Sequence, residues 1–149
     1  MRAVVQRAAD ASIAVEGERV AVLEHGILVY LGITSDDDED AIRYVAEKAA
    51  NLRIFEDDAG KMNRSVIDTG GGACVVSQFT LYGDTRKGRR PSYNRAAPPE
   101  IAVPIYEKFC EHLRGLGLRV ETGVFGAMME VSYTNPGPVT ILIDSEKTF

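Results

Sequence analysis

The chain has 149 residues, of which 45% are hydrophobic and 26% are charged, and these proportions exclude a disordered, collagenous or coiled-coil protein. One domain covering residues 1–149 is expected, because the length is close to that of an ordinary domain and no repeat or linker divides it. The net charge of −5, from 17 basic and 22 acidic residues, argues against a protein that coats nucleic acid over its whole surface.

The sequence also shows no membrane-spanning segment and no cysteine motif of a metal or redox site. The longest apolar run, residues 26–33, is far shorter than the roughly 20 residues that span a bilayer, so no membrane association is expected. Cys74 and Cys110 lack CxxC spacing and a suitably placed histidine, which excludes the usual zinc and thioredoxin-like motifs. We interpret them as two buried, reduced thiols of a cytoplasmic protein.

The first third of the chain predicts β-structure, with a turn at Glu16-Gly17 and a break at His25-Gly26. The four strands expected there are Ala3–Arg7, Ser12–Val15, Val20–Leu23 and Ile27–Ile33. Ser35 and Asp38 then resemble a capping box, which predicts that Asp36–Asp40 forms the first turn of a helix. The apolar stripe of this helix is Ile42, Val45, Ala49 and Leu52.

The rest of the chain predicts four more strands and a second helix. The strands are Arg53–Phe55, Ala73–Phe79, Ala127–Thr134 and Val139–Ile143. The helix is expected to begin at Pro99 with a stripe of Ile101, Ile105, Phe109 and Leu113, and Pro104 is expected to kink it or to delay its start. The segment 84–99 is longer than most structural loops, which favours a functional role. The fold class is therefore α+β, with roughly eight strands and two helices.

Common catalytic motifs are absent: the chain has no GxSxG, P-loop or GxGxxG sequence. His25 and His112 are interpreted as a turn histidine and a solvated helix histidine rather than as general bases. Ser77 and Thr80 end an apolar strand, where their hydroxyls either satisfy backbone groups or face a site. Most X-Pro bonds are trans, so the residues alone predict a trans bond at Gly137-Pro138.

Two longer motifs resemble a known family. Ser77-Gln78-Phe79-Thr80-Leu81-Tyr82-Gly83 and Asn135-Pro136-Gly137-Pro138-Val139-Thr140 resemble the paired signatures of the D-aminoacyl-tRNA deacylases. Further stretches resemble the family in the same order: Met1 to Arg7, Asn51 to Asp57, Gly60 to Asn63, and Lys87 to Ser92. The resemblance therefore covers nearly the whole chain.

Membership would imply a single α+β domain whose mainly antiparallel or mixed, barrel-like sheet is accompanied by two principal helices. It would also imply a homodimer with active sites at the subunit interface, acting on aminoacyl-tRNA and not on DNA. The implied reaction is hydrolysis of the ester between a D-amino acid and the terminal adenosine of tRNA, without a metal or organic cofactor. Two positions depart from the family pattern: Met128 replaces a common acid, and Pro136 occupies the variable place before Gly137.

The resemblance implies that Gly137 and Pro138 are joined by a cis bond and enter the partner's pocket, where their carbonyls face the substrate's α-carbon. An L side chain would strike those carbonyls, whereas a D side chain points away. Glycyl-tRNA should therefore also be accepted. Arg7 resembles the arginine that holds this motif.

The first signature is implied to form the opposite wall of the pocket. Backbone N–H groups of Ser77, Gln78, Phe79 and Thr80 would stabilise the oxyanion, while the 2′-hydroxyl of the terminal ribose positions the attacking water. Thr80 either acts as a nucleophile or shapes the pocket, and neither signature supplies a base for it.

Two further groups of residues are implied to contact the RNA. Phe125 and Met129 match the residues that sandwich the terminal adenine, with plain core packing as the alternative. Basic side chains are expected to contact the phosphates of the acceptor stem: Arg86, Lys87, Arg89 and Arg90.

Two other functions are compatible with the sequence. A non-catalytic tRNA-binding module would keep the fold without turnover. An esterase with a serine or threonine nucleophile would form an acyl intermediate at Ser77 or Thr80.

Overall fold

The computed structural model describes all residues 1–149 as eight strands, two α-helices and one 3₁₀ turn. The strands are β1 (Arg2–Val15), β2 (Glu18–Gly32), β3 (Phe55–Glu56), β4 (Met62–Arg64), β5 (Gly72–Ser77), β6 (Val120–Thr122), β7 (Glu130–Thr134) and β8 (Thr140–Asp144). The helices are α1 (Glu39–Asn51) and α2 (Pro99–Gly115), and the 3₁₀ turn covers Phe79–Tyr82. The predicted α+β class with two principal helices is confirmed.

The main sheet has six strands and is mixed. β1 lies antiparallel to β2, and its other side pairs with β8 over Arg2–Gln6 and with β7 over Ala9–Ala14. Beyond β2 the sheet continues with β5, which lies parallel to β2, and then with β6, which lies parallel to β5. The strand order is therefore β6-β5-β2-β1-β7, with β8 beside β1, and β3 and β4 form a separate two-stranded sheet.

Each of the first two strands is longer than the sequence predicts. The expected break at His25-Gly26 is wrong, because β2 runs through both residues. Gly26 has φ +152°, and a Cβ there would lie 2.8 Å from the carbonyl carbon of Gly72. The glycine is required by the close approach of β2 to β5, and it does not mark a chain break.

The cap of α1 also differs from the prediction. The N-cap is Asp38, whose side chain accepts a hydrogen bond from the amide of Ala41 at 2.9 Å. Asp37 lies outside the helix and accepts from the amide of Thr34 at 2.8 Å. Only Glu39 and Asp40 of the acidic run therefore belong to the first turn.

Helix α2 begins at Pro99 as predicted, and Pro104 lies inside it without delaying its start. Its buried face differs in part from the predicted stripe. Phe109 and Leu113 are fully buried, but Ile101 is exposed. The buried residues of the first half are instead Ala102 and Tyr106. Neither helix combines the length and apolar character needed to cross a membrane.

Two apolar clusters form the core, and each includes side chains from the main sheet. The larger one joins β1, β2 and β5 to both helices, with Val5, Val29, Val45 and Phe109 all fully buried. The smaller cluster includes Ile13 and residues of β2 and β5, and Met129 and Tyr133 pack against it. Burial of one large aliphatic or aromatic side chain contributes about 1.5–3 kcal/mol, so these clusters fix the position of β5.

The last third of the chain contains further differences. The predicted strand Ala127–Thr134 begins only at Glu130, because residues 127–129 form part of a cleft wall instead. The predicted strand Ala73–Phe79 ends at Ser77, where the chain turns into the 3₁₀ segment. The short strands β4 and β6 were not predicted, since three residues carry no detectable alternation of apolar and polar side chains.

Candidate active site

A cleft of about 700 Å³ opens at the carboxyl end of β5. Ser77, Gln78 and Phe79 line one part of it. Phe125 and Met129, which follow β6 and precede β7, line another. Most of the remaining lining is apolar: Leu31, Ile33, Val76, Tyr93, Ala96, Ala97, Pro99, Ala102, Gly126, Ala127, Met128 and Val131. An apolar cleft with a few polar groups at one wall has the usual character of a small-ligand site.

The signature wall, residues 77–80, is fixed by backbone hydrogen bonds. The amide of Gln78 donates to the carbonyl of Leu31 at 2.8 Å, which removes that amide from the predicted oxyanion donors. Phe79 and Thr80 open the 3₁₀ turn, and the first N–H groups of a helical turn have no carbonyl acceptor within it. The amides of Phe79 and Thr80 are therefore available as donors of this wall.

Thr80 is exposed and does not line the cleft, whereas the other three residues of its wall do line it. Its Oγ1 accepts a hydrogen bond from the side-chain amide of Gln78. No histidine or carboxylate contacts this hydroxyl. The side chain is therefore held in place, but it has no neighbouring base that would activate it.

Phe125 and Met129 form a second wall of the cleft, called the adenine wall because these residues are predicted to sandwich the terminal adenine, and Tyr106 supports it. Phe125 packs edge to face against Tyr106, with ring centroids 5.9 Å apart. The hydroxyl of Tyr106 donates to the carbonyl of Val75 at 2.7 Å, which ties the support to β5. A Cβ at Gly123 would overlap the sulfur of Met129, so the glycine leaves the space that this side chain occupies. Phe125 and Met129 are each half-buried, so both contact the core and still face the cleft.

The second signature forms an exposed turn in which the Gly137-Pro138 bond is cis. The trans bond expected from the residues alone is therefore wrong, and the cis bond implied by the resemblance is present. Arg7 holds the turn: its guanidinium donates to the carbonyl of Pro136 from Nε at 2.9 Å and from Nη2 at 2.6 Å. Its Nη1 donates to the carbonyl of Ile54 at 3.1 Å. Arg7 thus connects this turn to the segment that follows α1.

Asn135 also stabilises the turn, a role that the sequence analysis did not assign. Its side-chain oxygen accepts from the amide of Val139 at 2.9 Å. The carbonyl of Val139 accepts from the amide of Arg7 at 3.3 Å. Asparagine at the first position of a tight turn is the sequence signal for this arrangement.

The strand position of Arg7, which holds the Gly137-Pro138 turn, is far from Ser77 within one chain. Arg7 pairs with Ile27 of β2, which pairs with Ala73 of β5, four residues before Ser77. Two strand spacings across and four residues along correspond to about 10 Å and about 13 Å, and hence to about 16 Å between the Cα atoms of Arg7 and Ser77. None of Arg7, Gly137 and Pro138 lines the cleft.

The predicted phosphate-binding residues lie in a basic loop (residues 85–91) whose ends are joined by a bridge between Asp84 and Ser92. Arg86 donates to both carboxylate oxygens of Asp84, at 2.9 and 2.6 Å, and so holds the pKa of that carboxyl far below its usual range. The other three basic side chains are exposed and form no ion pair: Lys87, Arg89 and Arg90. No residue of this loop lines the cleft, but Tyr93, two residues after the loop ends, does.

Comparison with known proteins connects this site to a family. The family described as D-Tyr-tRNA(Tyr) deacylase matches residues 4–144. A D-aminoacyl-tRNA deacylase of Thermus aquaticus is 59% identical over 147 residues, covering 99% of this chain and 97% of that protein. One from Symbiobacterium thermophilum is also 59% identical, covering 100% of this chain and 99% of that protein.

The chain belongs to the D-Tyr-tRNA(Tyr) deacylase family. The predicted identification as an enzyme of this family, a carboxylic ester hydrolase, is therefore confirmed.

Two solved structures also resemble this deacylase family member. A protein titled c-Myc DNA Unwinding Element Binding Protein superposes with a TM-score of 0.91 at 41% identity, covering 97% of this chain and 98% of that one. A probable eukaryotic D-amino acid tRNA deacylase superposes with a TM-score of 0.81 at 20% identity, covering 95% of this chain and 97% of that one. The second comparison shows the shared fold.

The other reactive side chains of this deacylase family member lie outside the cleft. Nε2 of His25 lies 3.2 Å from the hydroxyl of Thr69, and His112 is 3.9 Å from Glu47. Burial raises the pKa of each of the two cysteine thiols to about 11. At neutral pH both thiols are therefore protonated and poorly nucleophilic.

Proposed function

We propose that this protein hydrolyses the ester of D-aminoacyl-tRNA at the cleft, releasing free tRNA and the D-amino acid. The observation that carries the proposal is that the 700 Å³ cleft is lined by Ser77, Gln78 and Phe79 of the signature wall and by both residues of the adenine wall. Full-length identity of 59% to deacylases supports the same activity. No cofactor is part of the proposal.

The terminal adenine is placed between Phe125 and Met129. An aromatic ring and a polarisable thioether provide the two faces of a stacking site, and such base stacking contributes about 1–3 kcal/mol. The ester carbonyl then lies towards the amides of Phe79 and Thr80. These donors are fixed before substrate binds, so they stabilise the developing oxyanion without reorganisation.

Water is the proposed nucleophile, and the 2′-hydroxyl of the terminal ribose positions it. The Thr80 hydroxyl is bonded to Gln78 and contacts no base, which favours a role in shaping the wall. Replacing the terminal adenosine by 2′-deoxyadenosine should therefore abolish hydrolysis.

A homodimer is proposed because the Gly137-Pro138 turn is exposed and does not line the cleft of its own chain. In a two-fold dimer, the turn of one protomer enters the cleft of the other, and each protomer does so in return. The carbonyls of Gly137 and Pro138 then exclude an L side chain at the α-carbon and admit D-amino acids. Glycine has no side chain to exclude, so glycyl-tRNA is a second proposed substrate.

The proposed setting is the cytoplasm, in agreement with two buried and unpaired cysteines. The proposed phosphate contacts are the basic loop residues Arg86, Lys87, Arg89 and Arg90. Pairing with Asp84 leaves Arg86 less free to bind phosphate than the other three.

The test compares hydrolysis of D-Tyr-tRNA and L-Tyr-tRNA by the wild type and by Thr80→Ala. Thr148→Ala, the same change at an exposed position outside the cleft, serves as the control. Turnover selective for the D-substrate by all three proteins is expected. Loss of turnover in Thr80→Ala alone would instead indicate a threonine nucleophile.

Two other results would contradict the proposal. Binding of tRNA without turnover of either substrate would leave a non-catalytic tRNA-binding module. A covalent acyl group on Ser77 or Thr80, with hydrolysis of simple esters in the absence of RNA, would indicate a nucleophile esterase.

A further inference from the structure

Two exposed aromatic side chains stand at the cleft without a role in the proposed reaction. Phe79 is 55% exposed and Tyr93 is 37% exposed, and both line the cleft. Their rings pack edge to face with centroids 5.0 Å apart. An exposed aromatic pair at a cleft is a surface on which a flat ligand can stack.

The ring of Tyr93 is held in place before any ligand binds. It packs against Phe79 on one side, and a Cβ at Gly83 would lie 3.2 Å from its Cε1. Glycine at position 83 therefore leaves the space that this ring occupies. The hydroxyl of Tyr93 makes no hydrogen bond within the protein, so the position of the ring depends on packing alone.

The basic loop lies next to this pair. The bridge between Asp84 and Ser92 closes the loop, and Tyr93 directly follows Ser92 in the chain. Lys87, Arg89 and Arg90 are exposed there without ion pairs. An aromatic ring beside free cations is the combination that binds single-stranded nucleic acid, whose bases stack while its phosphates contact the cations.

We propose that Tyr93, supported by Phe79, stacks the base of the nucleotide that precedes the terminal adenosine of the RNA. The inference rests on the proposed function, because it takes the terminal adenine to lie between Phe125 and Met129 in the same cleft. The next nucleotide along the strand then leaves the cleft past Tyr93 towards the basic loop. The ligand class is the single-stranded 3′ end of an RNA.

A kinetic ratio tests the inference. D-tyrosyl-adenosine and a D-tyrosylated trinucleotide RNA ending in adenosine are compared through their kcat/KM values. In Tyr93→Ala the ratio of the trinucleotide value to the adenosine value should fall about tenfold, the size expected for one stacked base. Tyr93→Phe should restore the wild-type ratio. Tyr44→Ala, at a half-buried tyrosine on α1 outside the cleft, should leave it unchanged.

A binding measurement gives an independent readout without turnover. A trinucleotide RNA carries fluorescent 2-aminopurine as its penultimate base, and stacking quenches this fluorescence. The wild type, Tyr93→Phe and Tyr44→Ala should quench it, and Tyr93→Ala should lose most of the quenching. A wild type that hydrolyses D-Tyr-tRNA but quenches no more than Tyr93→Ala, or an unchanged kinetic ratio in that variant, would overturn this inference alone. A wild type that hydrolyses no D-aminoacyl substrate would overturn the proposed function as well.

Discussion

Removing the guanidinium of Arg7 should uncouple the Gly137-Pro138 turn from the rest of the protein. The side chain is half-buried and donates two hydrogen bonds to Pro136 and one to Ile54. A hydrogen bond from a charged group contributes about 1.5–3 kcal/mol when shielded from water, and less when exposed. The two bonds to Pro136 are exposed and the bond to Ile54 is partly buried, so each contributes at or below the lower end of this range. Arg7→Ala removes all three, and it should weaken the attachment of the turn by about 2–3 kcal/mol.

If this turn excludes L-amino acids, its loosening should appear in selectivity. The ratio of kcat/KM for D-Tyr-tRNA to that for L-Tyr-tRNA should fall by about 30- to 150-fold in Arg7→Ala, the equivalent of 2–3 kcal/mol. Arg7→Lys should cause a smaller loss of selectivity, because the ammonium can still donate to one carbonyl. Some loss should remain, since a single ammonium does not bridge two carbonyls as the planar guanidinium does.

Arg119→Ala is the matched control, since this arginine also donates to a backbone carbonyl, that of Val22 at 3.1 Å. It should leave the selectivity unchanged. Thermal denaturation of each variant shows whether the fold is intact. A folded Arg7→Ala with wild-type selectivity would refute the reasoning that this contact positions the turn.

Three further predictions concern the basic loop, the sheet and the thiols. Replacing both Arg89 and Arg90 by Ala should weaken tRNA binding and reduce the slope of log affinity against log salt by about 1 to 2, and an unchanged slope would exclude phosphate contacts by these side chains. Gly26→Ala should lower the free energy of unfolding by more than about 4 kcal/mol in urea denaturation, because the new Cβ overlaps the backbone of β5. The control is Gly60→Ala, whose Cβ meets no atom within 4 Å and which should cost only about 1 kcal/mol. Burial raises the pKa of each cysteine thiol to about 11, so both should resist iodoacetamide at pH 8.5 in the native protein and react after unfolding. Labelling of the native protein, detected by mass spectrometry, would contradict this prediction.

The sequence predicts the site better than it predicts its surroundings. The resemblance to the deacylase family implied one pocket for Ser77, Phe79, Phe125 and Met129 before the fold was known, and all four line the same cleft. The position of Tyr93 could not be inferred in this way, because it depends on the bridge that closes the basic loop and on the space left by Gly83.

The errors in the predicted elements have physical causes. Residues 127–129 were predicted as strand because residues that line an apolar cleft resemble those of a buried strand. Gly26 was predicted as a break because the sequence does not reveal that another strand passes directly against it. Asp38 was predicted inside the helix, since adjacent acids offer several equivalent caps.

The contact between Arg7 and Pro136 joins residues 129 positions apart in the chain. During synthesis the β1–β2 hairpin can form early, but β1 gains its other neighbours only when β7 and β8 have been made. Such distant pairings slow folding, because chain entropy is lost before the contacts compensate for it. A nascent chain therefore presents an unpaired edge of β1 until β7 and β8 have been synthesised, and the contact of Arg7 with Pro136 cannot form before the turn at Gly137-Pro138 has been made.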